Sequence, residues 1–253
     1  MGKIIAIVNQ KGGVGKTTTA VNLSCSLALA GKKVLLVDID PQGNSTSGLG
    51  IDKQQLEYCI YNVLIEGMPL LQVRHSSDVE KLDIIPATMQ LAGAEIELVN
   101  KENRERILRK ALISAGEIYD YILIDCPPSL GLITINSLTA AHSILIPIQC
   151  EYYDLEGLGQ LINTYNLVRE HLNPNLAIEG VLLTMFDART NLSIQVVDEI
   201  KKYFKSKVYK AIVPRNVRLS EAPSHGKPAV IYAPRSKGAE VYRELAKEVM
   251  NIE

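Results

Sequence analysis

The stretch from Lys3 to Thr18, KIIAIVNQKGGVGKTT, decides the fold of this 253-residue chain. It begins with apolar, mostly β-branched residues that predict a strand over Lys3–Asn9. A glycine-rich loop follows, and a segment with helical periodicity runs from Lys16 to Ala30. Glycines in such a loop let successive backbone N–H groups turn inward at the N-terminus of a helix and form a cradle for an anion. The stretch therefore predicts a strand, a phosphate-binding loop and a helix, in that order.

The rest of the chain alternates strands and helices in the same way. Further apolar runs predict strands over Lys33–Asp38, Leu82–Pro86, Tyr121–Asp125, Ser143–Ile148, Ile178–Met185 and Val208–Val213. Helical spacing predicts helices over Lys16–Ala30, Ala92–Ala115, Leu155–His171, Ser193–Phe204 and Gly238–Met250. Gly43–Leu71 is the least periodic part of the chain, which predicts irregular structure or short helices there. Because no flexible linker interrupts the alternation, we expect one α/β domain over residues 1–253, with a mostly parallel twisted sheet flanked by helices.

The composition is that of a folded globular protein. Apolar residues make up 47% of the chain and charged residues 22%, which excludes disordered and fibrous classes. Four cysteines (Cys25, Cys59, Cys126, Cys150) lie far apart without a C-x-x-C pair, so they indicate buried thiols in a reducing compartment. No signal peptide and no run approaching about 18 apolar residues is present. These features predict a cytoplasmic protein.

The residue types in the glycine-rich loop have defined uses at this spacing. In a phosphate loop, the lysine that opens the helix reaches the β- and γ-phosphates, and the hydroxyl of the next residue ligates Mg²⁺. Here those residues are Lys16 and Thr17. The expected nucleotide ligands are Lys11, Gly12, Gly13, Val14, Gly15, Lys16, Thr17 and Thr18. The loop departs from the ordinary motif G-x-x-x-x-G-K-[ST], since Gln10 replaces the first glycine and Lys11 adds a second cation.

Acidic residues follow two other predicted strands. The segment VDIDPQGN places Asp38 and Asp40 two residues apart, so their carboxylates lie on the same side of an extended chain. Asp125 ends the apolar run YILID. Ligands of parallel sheets bind beyond the carboxyl ends of the strands. We therefore expect these carboxylates to lie near the phosphate loop, and Asp125 to hold the magnesium shell.

The K-G-G-x-G-K-T loop resembles the deviant phosphate loop of the partition-type P-loop ATPases, a group that includes the ParA/Soj chromosome-partitioning proteins, MinD and the nitrogenase iron protein. The DIDPQGN segment has the same resemblance. The segments IPAT, AGAEIE, QCEYY and RLSEAPSHG, which begin at Ile85, Ala92, Gln149 and Arg218, resemble the ParA/Soj branch specifically. The resemblance covers essentially the full chain. It implies the P-loop NTPase fold and an ATPase that uses ATP and Mg²⁺.

The same resemblance implies roles for single residues. Lys11 would contact nucleotide across the interface of an ATP-dependent sandwich homodimer, and Gly12 would face the partner subunit closely. Asp40 would position or activate the attacking water, while Asp38 would support Lys16 and the magnesium shell. Asp125 would be the Walker B acid, and Pro214 and Asn216 would contact the adenine base.

Two other branches of the group are alternatives. Iron–sulfur carriers need paired cysteine ligands, and no second cysteine lies at a suitable spacing from Cys126 in the sequence. MinD-type proteins end in a basic amphipathic membrane helix, whereas residues 238–253 contain more glutamates than Lys and Arg. Packing of this segment against the domain, without membrane binding, is the favoured interpretation. A MinD-like ATPase that works at the membrane surface remains the alternative.

The charge of the chain is unevenly distributed. From Arg189 to Lys247 there are 13 Lys and Arg against five Asp and Glu, a charge of +8, and the remainder carries −9. Clustered cations bind nucleic-acid phosphates without reading bases. We therefore expect a surface for non-specific double-stranded DNA within residues 189–247, with the candidates Arg189, Arg218, Lys201, Lys202 and Lys227. By resemblance, a ParB-like protein would stimulate hydrolysis and so release DNA, and the protein would be associated with the nucleoid.

Overall fold

A computed structural model of the chain describes residues 2–151 and 154–251, with no side-chain description over 154–157. Tyr152 and Tyr153, the end of the QCEYY segment, lie outside the described residues, as do Met1, Ile252 and Glu253.

The described residues form one eight-stranded sheet. Its strands are β1 (Lys3–Ile7), β2 (Val34–Asp38), β3 (His75–Ser76), β4 (Leu82–Ile85), β5 (Tyr121–Asp125), β6 (Ser143–Gln149), β7 (Ala177–Phe186) and β8 (Val208–Pro214). The spatial order is β3-β4-β2-β5-β1-β6-β7-β8, and every neighbouring pair is parallel except β3 with β4. All seven predicted strands are confirmed within two residues at either end, and β3 is an addition at the edge of the sheet.

Helices connect the strands. They are α1 (Lys16–Leu29), α2 (Asn44–Gly48), α3 (Ala94–Glu97), α4 (Ile107–Ala111), α5 (Leu132–Ala140), α6 (Asp154–His171), α7 (Asn191–Phe204), α8 (Val217–Glu221), α9 (Ala229–Tyr232) and α10 (Lys237–Met250). Single turns of 3-10 helix occur at Leu70–Gln72, Met89–Gly93, Leu98–Asn100, Arg104–Arg106, Ala115–Glu117, Lys205–Lys207 and Ala222–His225, and a π turn at Asn62–Glu66. The short elements within 43–71 agree with the expectation for that segment.

The sheet has an apolar layer on each face, as the predicted α/β class requires. Because successive strand residues point to opposite faces, Ile5 and Ile7 of β1 pack with α1, α8, α9 and α10. Ile4 and Ala6 point the other way and pack with α4, α5, α6 and α7. Strands buried on both faces account for the continuous apolar runs in the sequence.

The prediction of one helix over residues 92–115 is wrong. The segment breaks between α3 and α4, where Asn103 has a left-handed backbone with φ of 51°. The Asn136 side chain from α5 takes the place of the missing helical hydrogen bonds. Its Nδ2 donates to Arg104 O at 2.7 Å, and its Oδ1 accepts from Leu108 N at 3.2 Å. Tertiary contacts therefore override the helical spacing of this segment.

The C-terminal helix packs against the domain, as expected. Ser236 caps the N-terminus of α10 by accepting a hydrogen bond from Ala239 N. Val241, Leu245 and Val249 are at most 3% exposed and lie in the layer shared with α1. The apolar face of α10 is thus buried within this chain. No helix in the described ranges has the length and apolarity needed to cross a membrane.

Candidate functional site

The glycine-rich loop leaves the carboxyl end of β1 in a conformation that needs glycine. Gly13 and Gly15 have φ of 77° and 91°, which side chains of L-residues rarely allow. The loop is anchored from neighbouring strands. Thr184 Oγ1 at the end of β7 donates to Val14 O at 2.8 Å, and Asn9 Nδ2 donates to Pro147 O at 2.7 Å. The cradle is therefore held in shape by β6 and β7.

The expected phosphate lysine lies inside the loop. Lys16 is buried, and its Nζ donates to the backbone oxygen of Lys11 at 2.8 Å. Burial lowers the pKa of Lys16, and the negative charges of Asp125 and Asp40 act in the opposite direction. The ammonium group is thus tied to the loop on one side and close to two carboxylates on the other.

The acidic strand ends lie side by side. β2 and β5 are neighbours, and Asp38 is directly opposite Asp125 in their register. Asp38 is fully buried, and its oxygens accept from Thr46 N at 2.8 Å, Thr46 Oγ1 at 2.7 Å and Asp40 N at 3.2 Å. Burial raises the pKa of Asp38 to about 6 despite these hydrogen bonds. Asp38 therefore organises the start of α2 as well as the site.

Of the two carboxylate oxygens of Asp125, one accepts a hydrogen bond and the other does not. Its Oδ2 accepts from Ser45 Oγ at 2.8 Å, whereas its buried Oδ1 finds no hydrogen-bond partner among the described residues. Burial, followed by the negative charge of Asp38, raises the pKa of Asp125 to about 7. The hydroxyls of Ser45 and, to a smaller extent, Thr17 lower that pKa. A buried carboxylate oxygen without a donor fits a hydrated cation, because a water in the metal's shell donates the missing hydrogen bond.

These residues fit a magnesium ion held mainly by phosphate oxygens and water. Mg²⁺ in such sites keeps several waters and takes few protein ligands. Within the described parts of the chain, no group of three or more His, Cys, Asp or Glu side chains could hold a metal by itself. Thr17 and Asp125 are the residues that would contact the ion or its water shell. Asp38 would act on the magnesium shell only indirectly, because both its oxygens already accept hydrogen bonds from the protein.

Asp40 lies close enough to Lys16 and Asp38 for its negative charge to raise the pKa of both groups. It is 8% exposed, and its Oδ1 accepts from Gln42 N at 2.9 Å. This hydrogen bond leaves acceptor capacity on the carboxylate, which a water-positioning residue needs.

Sequence reasoning missed two residues of this site. Ser45 and Thr46 of α2 supply the hydroxyls that hold Asp125 and Asp38, and Thr46 Oγ1 also accepts from Ala87 N at 3.0 Å. Their only signal in the sequence is a pair of hydroxyl residues directly after the DIDPQGN segment. Hydroxyl residues at the start of a helix usually indicate a cap, so the pattern did not single them out.

A cavity of about 260 Å³ lies beside the loop, at the end of β8. Pro214 and Asn216 line it together with Gly15 and Thr18, so the structure brings the expected base contacts to the phosphate loop. Asn216 Oδ1 accepts from Arg218 N at 2.9 Å and caps α8. Its Nδ2 remains as the donor for a ligand.

The DNA candidates lie in both helical layers. Arg189 precedes α7, and Lys201 and Lys202 lie in its last turn, so these three belong to the layer of α4 to α7. Arg218 lies in α8 and Lys227 shortly before α9, in the opposite layer. The basic segment therefore wraps the β8 edge of the sheet instead of covering one face. Lys227 also lines a cavity of about 400 Å³ that reaches Thr17 and Thr18.

Several of these cations have acidic neighbours. Arg189 is 88% exposed and forms two hydrogen bonds with the carboxylate of Asp187, at 2.9 and 2.7 Å. Lys202 pairs with Glu199 at 2.7 Å and Arg218 with Glu221 at 2.6 Å. The pairs of Lys202 and Arg218 are exposed and therefore weak, so these two cations stay available to a phosphate backbone. Arg189 would have to exchange its two hydrogen bonds with Asp187 for a phosphate.

The chain matches known proteins over nearly its whole length. The AAA domain family matches residues 2–178. Over 249 residues the chain is 67% identical to the sporulation initiation inhibitor protein Soj of Bacillus subtilis, covering 98% of both chains. It is 57% identical over 250 residues to the chromosome partitioning protein ParA of Myxococcus xanthus, covering 99% of this chain and 88% of that one.

A solved structure has the same fold. Cobyrinic acid a,c-diamide synthase of Mycobacterium smegmatis is 36% identical and superposes with a TM-score of 0.88, covering 99% of this chain and 95% of the other. It was solved with ADP and magnesium and with an ATP analogue and magnesium.

Proposed function

This chain belongs to the Soj/ParA family of P-loop ATPases, and from that premise we propose that it is a chromosome-partitioning ATPase whose ATP-bound dimer holds DNA without sequence preference. It hydrolyses ATP with magnesium as cofactor, as the expected family resemblance implied. Its identity to the two partition proteins, 67% and 57%, exceeds the 36% to the M. smegmatis protein. The partition function is therefore favoured over the activity that the name of that protein describes.

One observation carries the proposal of the site. The phosphate loop, with Lys16 inside it, lies beside Asp38 and Asp125 at the ends of adjacent strands. Phosphoryl transfer depends mainly on positioning and on stabilising charge. Lys16 meets the charge of the terminal phosphates, and Asp40 orients the attacking water. Bound magnesium would add positive charge against the phosphate oxygens.

The dimer is proposed from the position of Lys11 and Gly12. Gly12 is exposed, and a Cβ built on it would meet no atom within 4 Å, so this part of the loop faces outward. A partner subunit could therefore approach closely enough for its Lys11 to reach the nucleotide. A second cation on the terminal phosphate would stabilise charge in the transition state.

DNA binding is proposed from the basic segment around the β8 edge. A dimer would present two such segments, and doubling the phosphate contacts multiplies the electrostatic contribution to affinity. The lifetime of bound ATP would then determine how long the protein stays on DNA. A ParB-like partner would stimulate hydrolysis and release the protein, which would otherwise be associated with the nucleoid in the cytoplasm.

The test is a titration with a random-sequence DNA duplex, with and without ATP and Mg²⁺, at several salt concentrations. We expect tight, salt-dependent binding only with ATP, and a steep fall of log K with log salt concentration. Equal binding without ATP would contradict the ATP-dependent switch. Adding liposomes with ATP tests the MinD-like alternative, since sedimentation with anionic lipid in place of DNA binding would support it.

Two variants make the test specific. Asp40→Ala should bind ATP, dimerise and keep DNA bound because hydrolysis is blocked, whereas Asp78→Ala, an exposed acid beyond β3, should behave like wild type. Arg189→Glu should lose DNA binding and still dimerise with ATP. Arg169→Glu, with the same change of charge on α6, should retain DNA binding. Loss of both dimerisation and DNA binding in Arg189→Glu would remove this residue from the DNA surface.

A further inference from the structure

A further cavity lies at the amino ends of β1 and β6, whereas the phosphate loop follows the carboxyl end of β1. Its volume is about 830 Å³, and its walls include Ile4 at the beginning of β1, His142 before β6, and residues of α4. The phosphate loop follows the other end of β1, about 16 Å away for a strand of this length. The cavity is therefore separate from the nucleotide site.

Three cations from one helical segment line this cavity. Arg106, Arg109 and Lys110 have the spacing i, i+3, i+4, which places them on one face of α4 and the turn before it. All three are exposed, and no carboxylate is among the lining residues. Throughout the described ranges, none of the three forms an ion pair. This is unlike Lys202 of α7 and Arg218 of α8, which have acidic partners.

His142 adds a fixed polar group to the wall. Its Nδ1 accepts from Ile4 N at 3.0 Å, and its backbone N donates to Ile4 O at 2.9 Å. Because Nδ1 is an acceptor, the neutral ring carries its proton on Nε2, which is a hydrogen-bond donor. Burial lowers the pKa of His142, and the positive charges of Arg109 and Lys3 lower it further. The electrostatic potential at this wall is thus positive.

The remaining wall is mixed, with four apolar residues beside the polar side chains of Thr139, Asn173 and Asn175. Leu112 and Ile113 follow the cations along the chain, and Ala140 and Ala141 lie opposite, at the end of α5. Small-molecule sites typically have volumes of about 300–1,000 Å³, with apolar walls and a few polar groups. Apolar and uncharged polar residues beside unpaired guanidinium groups suit a ligand that has an anionic end and a less polar body.

We propose that this cavity binds a phosphate-bearing small molecule about the size of a mononucleotide, at a second site independent of the phosphate loop. Guanidinium groups offer paired N–H donors that match phosphate oxygens, so Arg106 and Arg109 hold the phosphate with Lys110. The mixed wall takes the body of the ligand. A cavity of this volume has the size of a small-molecule site, whereas duplex DNA needs a surface that extends along its backbone.

The test uses the full chain with Mg²⁺ and one equivalent of ADP per subunit, so that the phosphate loop is filled and little free ADP remains to compete with the probe. AMP is the probe, and adenosine is the matched ligand without phosphate. NMR of histidine-labelled protein reports the His142 ring, assigned through His142→Gln. We expect AMP to shift the His142 resonance saturably, with Kd of about 1 mM or below, and adenosine to bind at least tenfold more weakly.

Variants then test which residues bind the phosphate of AMP. Arg109→Gln with Lys110→Gln should weaken AMP binding at least tenfold, and these exposed substitutions should leave the thermal unfolding unchanged. Arg169→Gln on α6, the matched control, should bind AMP like wild type. The proposal is overturned if AMP up to about 20 mM leaves His142 unshifted. It is equally overturned if the double variant binds AMP as well as wild type, or if a DNA duplex shifts His142 and AMP does not.

Discussion

Truncating the two lysines of the phosphate loop should affect different functions, ATP binding for Lys16 and dimerisation for Lys11. Lys16 is buried within its own subunit and bonded to the loop, whereas Lys11 lies on the outward-facing part beside Gly12. Lys16→Ala should therefore lose ATP affinity by at least about 100-fold, since a charge-assisted contact to phosphate is removed. Lys11→Ala should bind ATP within a few-fold of wild type and fail to dimerise.

Calorimetric titration with ATP measures the first effect, and light scattering with ATP and Mg²⁺ measures the second. Weak ATP binding in Lys11→Ala would mean that this lysine serves its own subunit. Normal ATP binding in Lys16→Ala would contradict the geometry of the loop.

His142 gives a prediction about pH. Its pKa is held below the usual value of about 6.5, so below that pH the unfolded chain takes up a proton that the folded protein resists. Stability from this residue is thus present above pH 6.5 and lost as the pH falls. His142→Gln should show a smaller fall in the free energy of unfolding between pH 7.5 and 5.5 than wild type. Urea unfolding at both pH values measures it, and exposed His171→Gln should match wild type.

At the residue scale, the sequence predicted those site residues whose signal is local. Asp38 and Asp125 each end an apolar run, and the parallel sheet brings such ends together. Ser45 and Thr46 could not be predicted to hold these carboxylates, because the contacts join residues 80 and eight positions apart. Only the order of strands in the sheet reveals that α2 crosses both ends.

Among the helices, α2 is joined to the basic segment by two glycines in close contact. Gly50 follows α2 and Gly226 precedes α9, with φ of 81° and 61°. A Cβ on Gly226 would lie 2.8 Å from Gly50 Cα, and one on Gly50 would lie 3.0 Å from Gly226 O. The helix that holds Asp38 and Asp125 thus rests on the segment between Arg218 and Lys227.

Substituting either glycine should destabilise the fold. Gly226→Ala should lower the free energy of unfolding by about 2–4 kcal/mol, because a strained φ and a backbone overlap add together. Gly67→Ala is the matched control, since its φ is 75° and a Cβ there meets nothing within 4 Å. It should lower that free energy by only about 1 kcal/mol. Urea unfolding of both variants checks the difference, and equal losses would show that the glycine contact contributes nothing.

Elements with a strong periodic pattern were predictable, and elements built by tertiary contacts were not. α1, α6, α7 and α10 begin and end close to the predicted positions because their apolar spacing is local. Thr190 and Ser236, which directly precede α7 and α10, also cap those two helices. α5 was missed because its sequence, LITINSLTA, is rich in β-branched residues. Its N-terminus is instead capped by the distant Glu95, whose carboxylate accepts from Leu132 N at 2.9 Å and Ile133 N at 3.3 Å.

For the whole molecule, the net charge of −1 conceals a division of the chain into an acidic and a basic part. The acidic part includes the carboxylates at the ends of β2 and β5, and the basic part surrounds the β8 edge. The extent of the basic segment could be read from the sequence, but its placement on the sheet could not. The crossover from β7 to β8 passes over one face of the sheet, and the chain after β8 returns over the opposite face. Any DNA surface built from the basic segment must therefore span the edge of the sheet.

Gly12 tests whether two subunits are needed to form that surface. Its backbone has no positive φ, and a side chain there would meet no atom of its own subunit within 4 Å. Gly12→Val should therefore fold normally and bind ATP within a few-fold of wild type. If the dimer closes over this residue, the three added carbons prevent close approach, so ATP-dependent dimerisation and DNA binding should both be lost.

A size series makes the result specific. Gly12→Ala should weaken dimerisation less than Gly12→Val, because the obstruction is a single methyl group, whereas Lys16→Ala should lose dimerisation together with ATP binding. Sedimentation with ATP gives the assembly state, and anisotropy of a labelled duplex gives DNA affinity in the same buffer. A monomeric Gly12→Val that still binds DNA with wild-type affinity would show that one subunit carries the whole DNA surface. A Gly12→Val that dimerises normally would place the interface elsewhere on the molecule.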